Sequence, residues 1–465
     1  MTACHRTFIS LAAFVLMSAR LVAQNATVPN APTARPFSAA FQQSSLQPLL
    51  DQKGASAVTP LTRQEAEKLA LANNPRIRIS ELLAKVQHQV VREHFADQMP
   101  TVSGNLTAVA AKDGSRLSSG SLTASTLLEH AGIGVQVGQL ITDFGRTQNL
   151  VAAARLQEKA RIAAAQASKL DILFATDQAF YAVIEAQETL KVATQTVATR
   201  EALTDQVSAL NSSKLKSDLD LSFAQVNLSQ AKLLQIDAQS NLDEARASLG
   251  ALLGYEKRQD FEAVEDQSQM PSLPPDPNIL ITQAMQNRPD LQSLQFIEQA
   301  TKKFTKAQQE QFLPTISALG VVGQTPVGSG QYFNSNWYGA VGGNVNIPIF
   351  NGFRFSAQAS EASLQAQAAT EQTRALREQL ARDVRTAWLN ANTARQRAIV
   401  ATELLQQANT ALDLAKTRYD LGLSSIVELS QAELQQTEAA IGNANVRSQY
   451  NFAIATLNLQ TGIQP

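Results

Sequence analysis

The sequence predicts an α+β membrane protein in which a few short β-strands alternate with very long helices. Apolar residues recur every three or four positions from Ala391 to Ala415, which is typical of a helix packed against a partner helix, and this pattern lies in a helical stretch of about 66 residues between Arg354 and Tyr419. Segments of about ten residues elsewhere alternate between apolar and polar side chains, as strands of a membrane barrel do. An internal repeat relates the two halves of the chain.

The start of the chain predicts a secretory signal peptide over residues 1–23. A basic start, an apolar run of about ten residues and small residues up to Ala23 form the expected pattern. A buried N-terminal helix is the alternative, but a polar, Pro-rich segment follows. That segment, 24–59, is predicted to be flexible. Cys4 is the only cysteine and lies within the signal, so a mature chain without disulfides or cysteine-bound metals is expected.

Short motifs return at constant distances along the chain. Leu71–Pro75 is followed 214 residues later by Met285–Pro289. Beyond the Ser- and Gly-rich loops the distance becomes 208 residues, as seen for Arg146 and Arg354, Leu215 and Leu423, Leu249 and Leu457, and Gly254 and Gly462. The repeat predicts a first structural unit over 60–258, a connector over 259–276 and a second unit over 277–465.

Each unit contains two segments with the alternation of a strand. They cover about 101–112 and 131–142 in the first unit, and about 314–323 and 337–349 in the second. The segment at 314–323 alternates poorly. A half-buried soluble sheet would fit the alternation equally well. If the strands face lipid, four are too few to close a barrel, so copies of the chain are expected to complete the wall.

Helices are predicted on either side of these strands. Thr62 and Glu65 have the spacing of a capping box, so a short helix is expected to begin there. The long helical pattern of the second unit reverses at Gly422, and its regularly spaced positions are Ala391, Ala394, Ala398, Ala401, Leu405, Ala408, Leu412 and Ala415. The corresponding pattern of the first unit is interrupted at Arg200 and Thr204. Two hairpins favour a shared cylinder, and an isolated two-stranded coiled coil is the simpler alternative.

No residue pattern indicates catalysis, a cofactor or a metal site. His88 and His94 are six residues apart, which places them on different faces of a helix. Gly132–Gly138 resembles a dinucleotide-binding loop, but its last spacing is one residue too long and strand alternation continues through it. The 39 basic and 40 acidic residues give a net charge of −1, with no bias towards nucleic acid. The chain is therefore not expected to be an enzyme.

Several motifs occur in a fixed order over residues 60–463: Leu61–Ala66, Asn74-Pro75, Met99–Thr101, Asp143–Arg146, Leu313–Thr315, Phe350–Arg354, and Arg418-Tyr419 before Gly422. In this order they resemble the TolC-like outer-membrane factor family. The resemblance implies a homotrimer in which each chain gives four strands to a twelve-stranded barrel in the lipid of the bacterial outer membrane. The long helices would form a coiled-coil tunnel in the periplasm. A periplasmic adaptor protein and an inner-membrane transporter would be its partners.

The resemblance also assigns roles at the hairpin ends. Glu428 is expected to face the pore near its narrowest point, where three copies would form a carboxylate ring that attracts cations. A second ring is not expected, because the residue three positions on is Gln431. Tyr419 and Asp220 are expected to hold the closed state across the interface between chains. Solvated carboxylates on a helix surface are the alternative for Glu428 and Asp220.

The reversals of the two hairpins are expected to contact the adaptor, through Lys214, Leu215, Gly422 and Leu423. Ser424 stands where some members of the family have a basic residue, so a rearranged gate contact that uses Arg418 is a further hypothesis.

The expected function is that of the outer-membrane channel of a tripartite efflux system, a passive exit duct for small molecules. The exit duct of a type I protein-secretion system is one alternative. A periplasmic coiled-coil scaffold without a pore is another, and the alternating strand pairs argue against it.

Overall fold

The computed structural model describes residues 59–109, 116–117, 125–126, 130–255, 261–265, 273–324 and 337–462. The predicted signal peptide and residues 24–58 lie outside this part. The first half contains β1 (Thr59–Thr62), α1 (Arg63–Asn73), α2 (Pro75–Ala96), β2 (Thr101–Val109), β3 (Arg116–Leu117), β4 (Ser125–Thr126), β5 (His130–Thr142), α3 (Arg146–Ser212) and α4 (Asp218–Leu252). The second half contains β6 (Phe261–Val264), α5 (Pro277–Asn287), α6 (Pro289–Gln309), a short 3-10 helix (Glu310–Phe312), β7 (Thr315–Gln324), β8 (Trp337–Asn346), α7 (Arg354–Asp420) and α8 (Ile426–Thr461).

Three of the short helices, α1, α2 and α5, begin where their local sequence supplies a cap. Thr62 and Glu65 make both hydrogen bonds of the predicted capping box at the start of α1. The Asn74 side chain accepts a hydrogen bond from the Arg76 amide, and Pro75 is the first residue of α2. Asp276 and Pro277 start α5 in the same way. The counterpart of α2 in the second half is α6, which begins at Pro289 but has no side-chain cap.

Four strands form an antiparallel sheet in the order β2-β5-β7-β8. The central pair, β5 and β7, joins the two halves of the chain, with Val135 opposite Val322. Strand β8 ends at Asn346, three residues before the predicted boundary, because Pro348 has no amide proton to donate to a neighbouring strand. Within the described residues, one edge of β2 and one edge of β8 have no partner strand.

A second, two-stranded sheet was not predicted from the sequence. Strand β1 pairs in parallel with β6, so that Leu61 lies opposite Ala263. Strand β1 begins at the last residue of the segment predicted to be flexible, and β6 lies inside the predicted connector. No strand was predicted within the connector, because four residues are too few for a clear alternation pattern. This pairing ties the start of the first half to the junction between the halves.

The two long helices α3 and α7 contain 67 residues each, or about 100 Å of helix. Helix α7 begins at Arg354, as predicted, and reverses into α8 around Gly422. Its regularly spaced alanine and leucine positions are buried or half-buried, and Ala391 and Ala398 are among the most buried. The heptad pattern therefore marks the face of α7 that packs against the rest of the chain.

The heptad pattern of the first hairpin is interrupted at Arg200, but the helix remains packed there. Arg200 is only 7% exposed, and Val207, two turns further along α3, is fully buried. The prediction from sequence was wrong because an arginine is usually a surface residue. Here it lies between helices and faces Glu433 of α8.

The largest apolar core lies where α1, α3, α4 and β6 meet, and includes Phe180, Val183, Leu249, Leu253 and Phe261. A second cluster lies at the ends of the two hairpins, and a third joins α5, α7 and α8. None of the helices in the described part of the chain combines the length and the apolar character needed to cross a membrane.

Candidate functional site at the hairpin ends

Both hairpins reverse direction through the same backbone geometry. Lys214 and Gly422 have left-handed φ angles of 60° and 71°. The next amides, of Leu215 and Leu423, each donate to a carbonyl five residues earlier, at 2.9 and 2.8 Å. The two leucine side chains are 71% and 68% exposed. The four residues expected to contact an adaptor therefore lie at the two reversals, and the leucines expose apolar surface there.

Tyr419, near the end of α7, is buried by its own chain and is 3% exposed. It packs with Val207 of α3 and Ile426 of α8. The ammonium group of Lys216 lies 4.2 Å from the centre of its ring, in a cation–π contact. Its hydroxyl has no hydrogen-bond partner among the described residues. Tyr419 thus connects the two hairpin ends within one chain, and its contact with Asp220 of a neighbouring chain stays a prediction.

Asp220 caps the start of α4. Its carboxylate accepts hydrogen bonds from the Ser217 amide at 3.1 Å and from the Ser217 hydroxyl at 2.9 Å. In return the Ser217 hydroxyl oxygen accepts a hydrogen bond from the Asp220 amide. The negative charge also lies at the positive end of the helix dipole. This capping role was missed from the sequence, although a serine three residues before an acidic residue is its usual signal.

Glu428 lies in the first turn of α8 and has a counter-ion in its own chain. Its Oε1 is 3.4 Å from Nε of Arg418, and the two side chains are 45% and 57% exposed. An ion pair this exposed contributes little to stability, but it places a positive charge next to the carboxylate. The expected ring of Glu428 residues stays a prediction, with Arg418 now identified as the adjacent cation.

Further along the helices from the two reversals, polar side chains also join α8 to the first hairpin. We call the polar seam the following four pairs: Thr189 with Asn445 at 3.4 Å, Thr196 with Thr437 at 3.5 Å, Arg200 with Glu433 at 3.9 Å, and Asn227 with Ser430 at 2.7 Å. The guanidinium of Arg200 also donates to the Asn227 carbonyl at 2.8 Å. Sequence reading missed these contacts, because they pair residues more than 200 positions apart in the chain.

Burial changes the ionisation of the charged pair in the polar seam. Both side chains are more than nine-tenths buried. Burial raises the pKa of Glu433, although Arg200 and Lys416 act in the opposite direction. Burial likewise lowers the pKa of Arg200, and Glu433 partly offsets that change. The pair is therefore less stable in its charged form than the same pair would be in water.

A second buried charged cluster lies between α1 and α3. Arg63 contacts Glu67 at 2.6 Å and Asp177 at 3.5 Å. Asp177 is 5% exposed. Burial, followed by repulsion from the Glu67 carboxylate, raises the pKa of Asp177 to about 7, and the Arg63 guanidinium acts against this. One carboxyl group of the cluster therefore changes its protonation near neutral pH.

The two helical histidines lie apart and have different partners. His88 contacts Glu158 of α3 at 2.7 Å, and His94 lies 3.8 Å from Asp97. In the part of the chain that the structure describes, no group of three or more His, Cys, Asp or Glu side chains is arranged to hold a metal ion.

Comparison with known proteins identifies a family. The family model described as "Outer membrane efflux protein" matches residues 67–255 and 280–462, well over half of the chain. OprJ of Pseudomonas aeruginosa is 26% identical over 421 residues, covering 87% of this chain and 85% of OprJ. TolC of Escherichia coli is 24% identical over 352 residues, covering 71% of this chain and 68% of TolC.

The same fold occurs in solved structures. A crystal structure of CusC superposes with a TM-score of 0.76 at 20% sequence identity, covering 86% of this chain and 92% of that one. The hairpins, the four-stranded sheet and the match along both halves agree with these comparisons. The chain belongs to the outer membrane efflux protein family and is located in the bacterial outer membrane.

Proposed function

We propose that three copies of the chain form one channel, a twelve-stranded barrel in the outer membrane continuous with a helical tunnel in the periplasm. The channel is a passive exit duct for small molecules and carries out no enzymatic reaction. It receives its cargo from an inner-membrane transporter through a periplasmic adaptor, which contacts the hairpin ends at Lys214, Leu215, Gly422 and Leu423.

The observation that carries this proposal is an incomplete sheet with an uncovered apolar face. The free edges of β2 and β8 present backbone groups without partners within the described residues. Leu106 of β2 is 80% exposed and Val341 of β8 is 91% exposed. In lipid, each unpaired backbone group costs several kcal/mol. Pairing of β8 with β2 of the next chain would satisfy both edges and leave the apolar face to the lipid.

Native mass spectrometry of the detergent-purified protein tests this assembly. We expect a complex whose mass is three times that of the chain, because four strands per chain give twelve, enough for a barrel with a water-filled interior. A protein that stays monomeric, or that is freely soluble without detergent, would contradict the proposal.

A gene deletion separates the two kinds of cargo. Loss of the channel is expected to increase sensitivity to small toxic compounds and to leave secretion of proteins unchanged. The opposite result, loss of one secreted protein with unchanged drug sensitivity, would favour the duct of a type I secretion system. Restoring the gene on a plasmid serves as the control.

Charge changes at Glu428 and Arg418 test the expected pore ring. Glu428→Gln leaves the Arg418 charge without its counter-ion, so the reversal potential in a salt gradient should shift towards lower cation preference. Arg418→Gln leaves three carboxylates unpaired and should shift it in the opposite direction. These two exposed substitutions change the net charge in opposite directions and therefore control for each other. Reversal potentials that stay unchanged in both variants would place Glu428 outside the pore.

A further inference from the structure

The four-stranded sheet has two faces of different character. Its register places Asn105 of β2, Gly134 of β5, Gly323 of β7 and Tyr338 of β8 opposite one another in one row. Trp337, one position earlier in β8, lies on the other face with the exposed apolar residues of the sheet, because successive side chains of a strand point to opposite faces. Since the apolar face is proposed to meet the lipid, the row that contains Tyr338 is turned towards the interior of the barrel.

The side chain of Tyr338 lies flat across this row. A Cβ atom placed on Gly323 would lie 3.2 Å from the Tyr338 hydroxyl oxygen, and one placed on Gly134 would lie 3.9 Å from it. Gly323 is directly opposite Tyr338, and Gly134 is one strand further away. The side chain therefore reaches over β7 towards β5. Gly323 is buried although it lies on the surface of the sheet, which agrees with a ring that covers it.

The two glycines leave the space that the ring occupies. A Cβ atom on Gly323 would lie 2.8 Å from the Ile133 carbonyl oxygen and 3.0 Å from Cα of Gly134, so a residue with a side chain would force the two strands apart. An aromatic ring over such a glycine restores the packing that the missing side chain would provide. One face of the ring is thus held against the backbone, and Tyr338 remains 42% exposed.

The wall around Tyr338 is uncharged. Strands β2, β5, β7 and β8 contain no Asp, Glu, Lys or Arg, and Trp337 and Tyr338 are their only Phe, Trp or Tyr residues. The face that carries Tyr338 has uncharged polar residues, including Ser103, Asn105, Thr107, Gln136, Ser317 and Asn344. The electron-rich face of the tyrosine ring is therefore the feature of these strands that attracts a flat cation, through cation–π and stacking contacts.

We propose that Tyr338 is a binding site for planar aromatic cations on the inner wall of the barrel, with its ring held in place by Gly134 and Gly323. The inference rests on the proposed channel, because only a closed barrel turns this face of the sheet towards a water-filled interior. Three copies of the chain place three such rings at one level of the pore. A weak site suits a duct, since a molecule that binds there must also leave.

Current recording on planar bilayers that contain the purified protein tests the site, with N-methylacridinium as the probe. We expect this cation to reduce the current through open channels. N,N-dimethylpiperidinium, a saturated cation of the same charge, should block less because it cannot stack on the ring. This comparison needs only the wild-type protein, and equal block by the two cations would overturn the proposal.

Three substitutions identify the residue responsible. Tyr338→Leu should raise the concentration of N-methylacridinium needed for half-maximal block by about two- to fivefold, the effect of losing one exposed cation–π contact. Tyr338→Phe keeps the ring and should be blocked as the wild type is. Trp337→Leu removes the aromatic residue of the opposite face and is the matched control, so the block should not change.

The outcomes separate the site from the channel. Half-maximal block at the same concentration in the wild type and in Tyr338→Leu would overturn the binding site and leave the proposed channel in place. A block that is weakened in Trp337→Leu and not in Tyr338→Leu would reverse the assignment of the two faces and overturn it as well. A protein that passes no current even without the probe would contradict the channel, and the site with it.

Discussion

Asp177→Asn is expected to raise the midpoint of thermal unfolding above pH 7 by roughly 2–5 °C. Asp177 is 5% exposed, and its pKa is raised to about 7 by burial and by the neighbouring Glu67 carboxylate. Above that pH the wild-type protein therefore carries a buried negative charge next to a second one. Asparagine has nearly the same shape as the protonated acid and removes that charge.

The raised pKa of Asp177 determines how the stability of the wild-type protein changes with pH. The folded protein holds a proton on Asp177 up to about pH 7, whereas an ordinary aspartate loses it near the usual value of 3.8. Because the folded state binds this proton more tightly than the unfolded state, protonation of Asp177 stabilises the fold. The stabilisation is fully present below pH 3.8 and is lost as the pH rises to about 7. The advantage of the variant should therefore grow over this range and stay constant above it.

Thermal unfolding of both proteins, followed by circular dichroism at several pH values, measures this difference. Asp205→Asn, on the same helix but exposed, is the matched control and should change the midpoint little at any pH. A difference between Asp177→Asn and the wild type that is constant from pH 4 to pH 8 would contradict the assigned pKa.

Gly254→Ala is expected to destabilise the protein by about 2–4 kcal/mol, through backbone strain and a steric clash. Gly254 has a φ of +80°, and a methyl group there would lie 2.8 Å from Cβ of Asn73. Asn73 in turn donates a hydrogen bond to the Leu253 carbonyl at 3.1 Å, which joins the end of α1 to the end of α4. The clash would displace this contact next to the largest apolar core.

Gly422→Ala is the matched control, because its φ of +71° gives the same kind of strain with no atom within 4 Å of the added methyl group. We expect it to cost only about 1–2 kcal/mol. Gly462→Ala should resemble Gly254→Ala, since its methyl group would lie 3.0 Å from the Asn287 carbonyl carbon. Denaturant unfolding of the three variants gives the comparison. Equal losses at Gly254 and Gly422 would show that the contact with Asn73 contributes nothing.

Features encoded over a short stretch of chain could be predicted from the sequence. The capping box at Thr62 and Glu65 needs only two side chains and their own backbone, and it is present. The start of α7 at Arg354 and its reversal at Gly422 follow from the heptad pattern and one glycine. Lys214 is the exception, since it adopts a left-handed conformation where glycine would be the expected residue.

Features that depend on distant parts of the chain could not be predicted in this way. Burial of Arg200 depends on Glu433, which lies more than 200 residues away, so its charge was read as an interruption of the helix pattern. Strand β6 exists because β1 lies beside it. At the candidate site, the resemblance to a family assigned roles to Tyr419 and Asp220. It gave no information on Lys216 or Ser217, the residues that contact them in this chain.

Current recording on planar bilayers that contain the purified protein most directly tests the proposal that three copies of the chain form a channel. A wall completed by identical subunits encloses a continuous water-filled path, so the account predicts discrete conductance steps at a fixed voltage. An assembly that is verified in the bilayer and passes no current across the whole range of voltage and pH would contradict it.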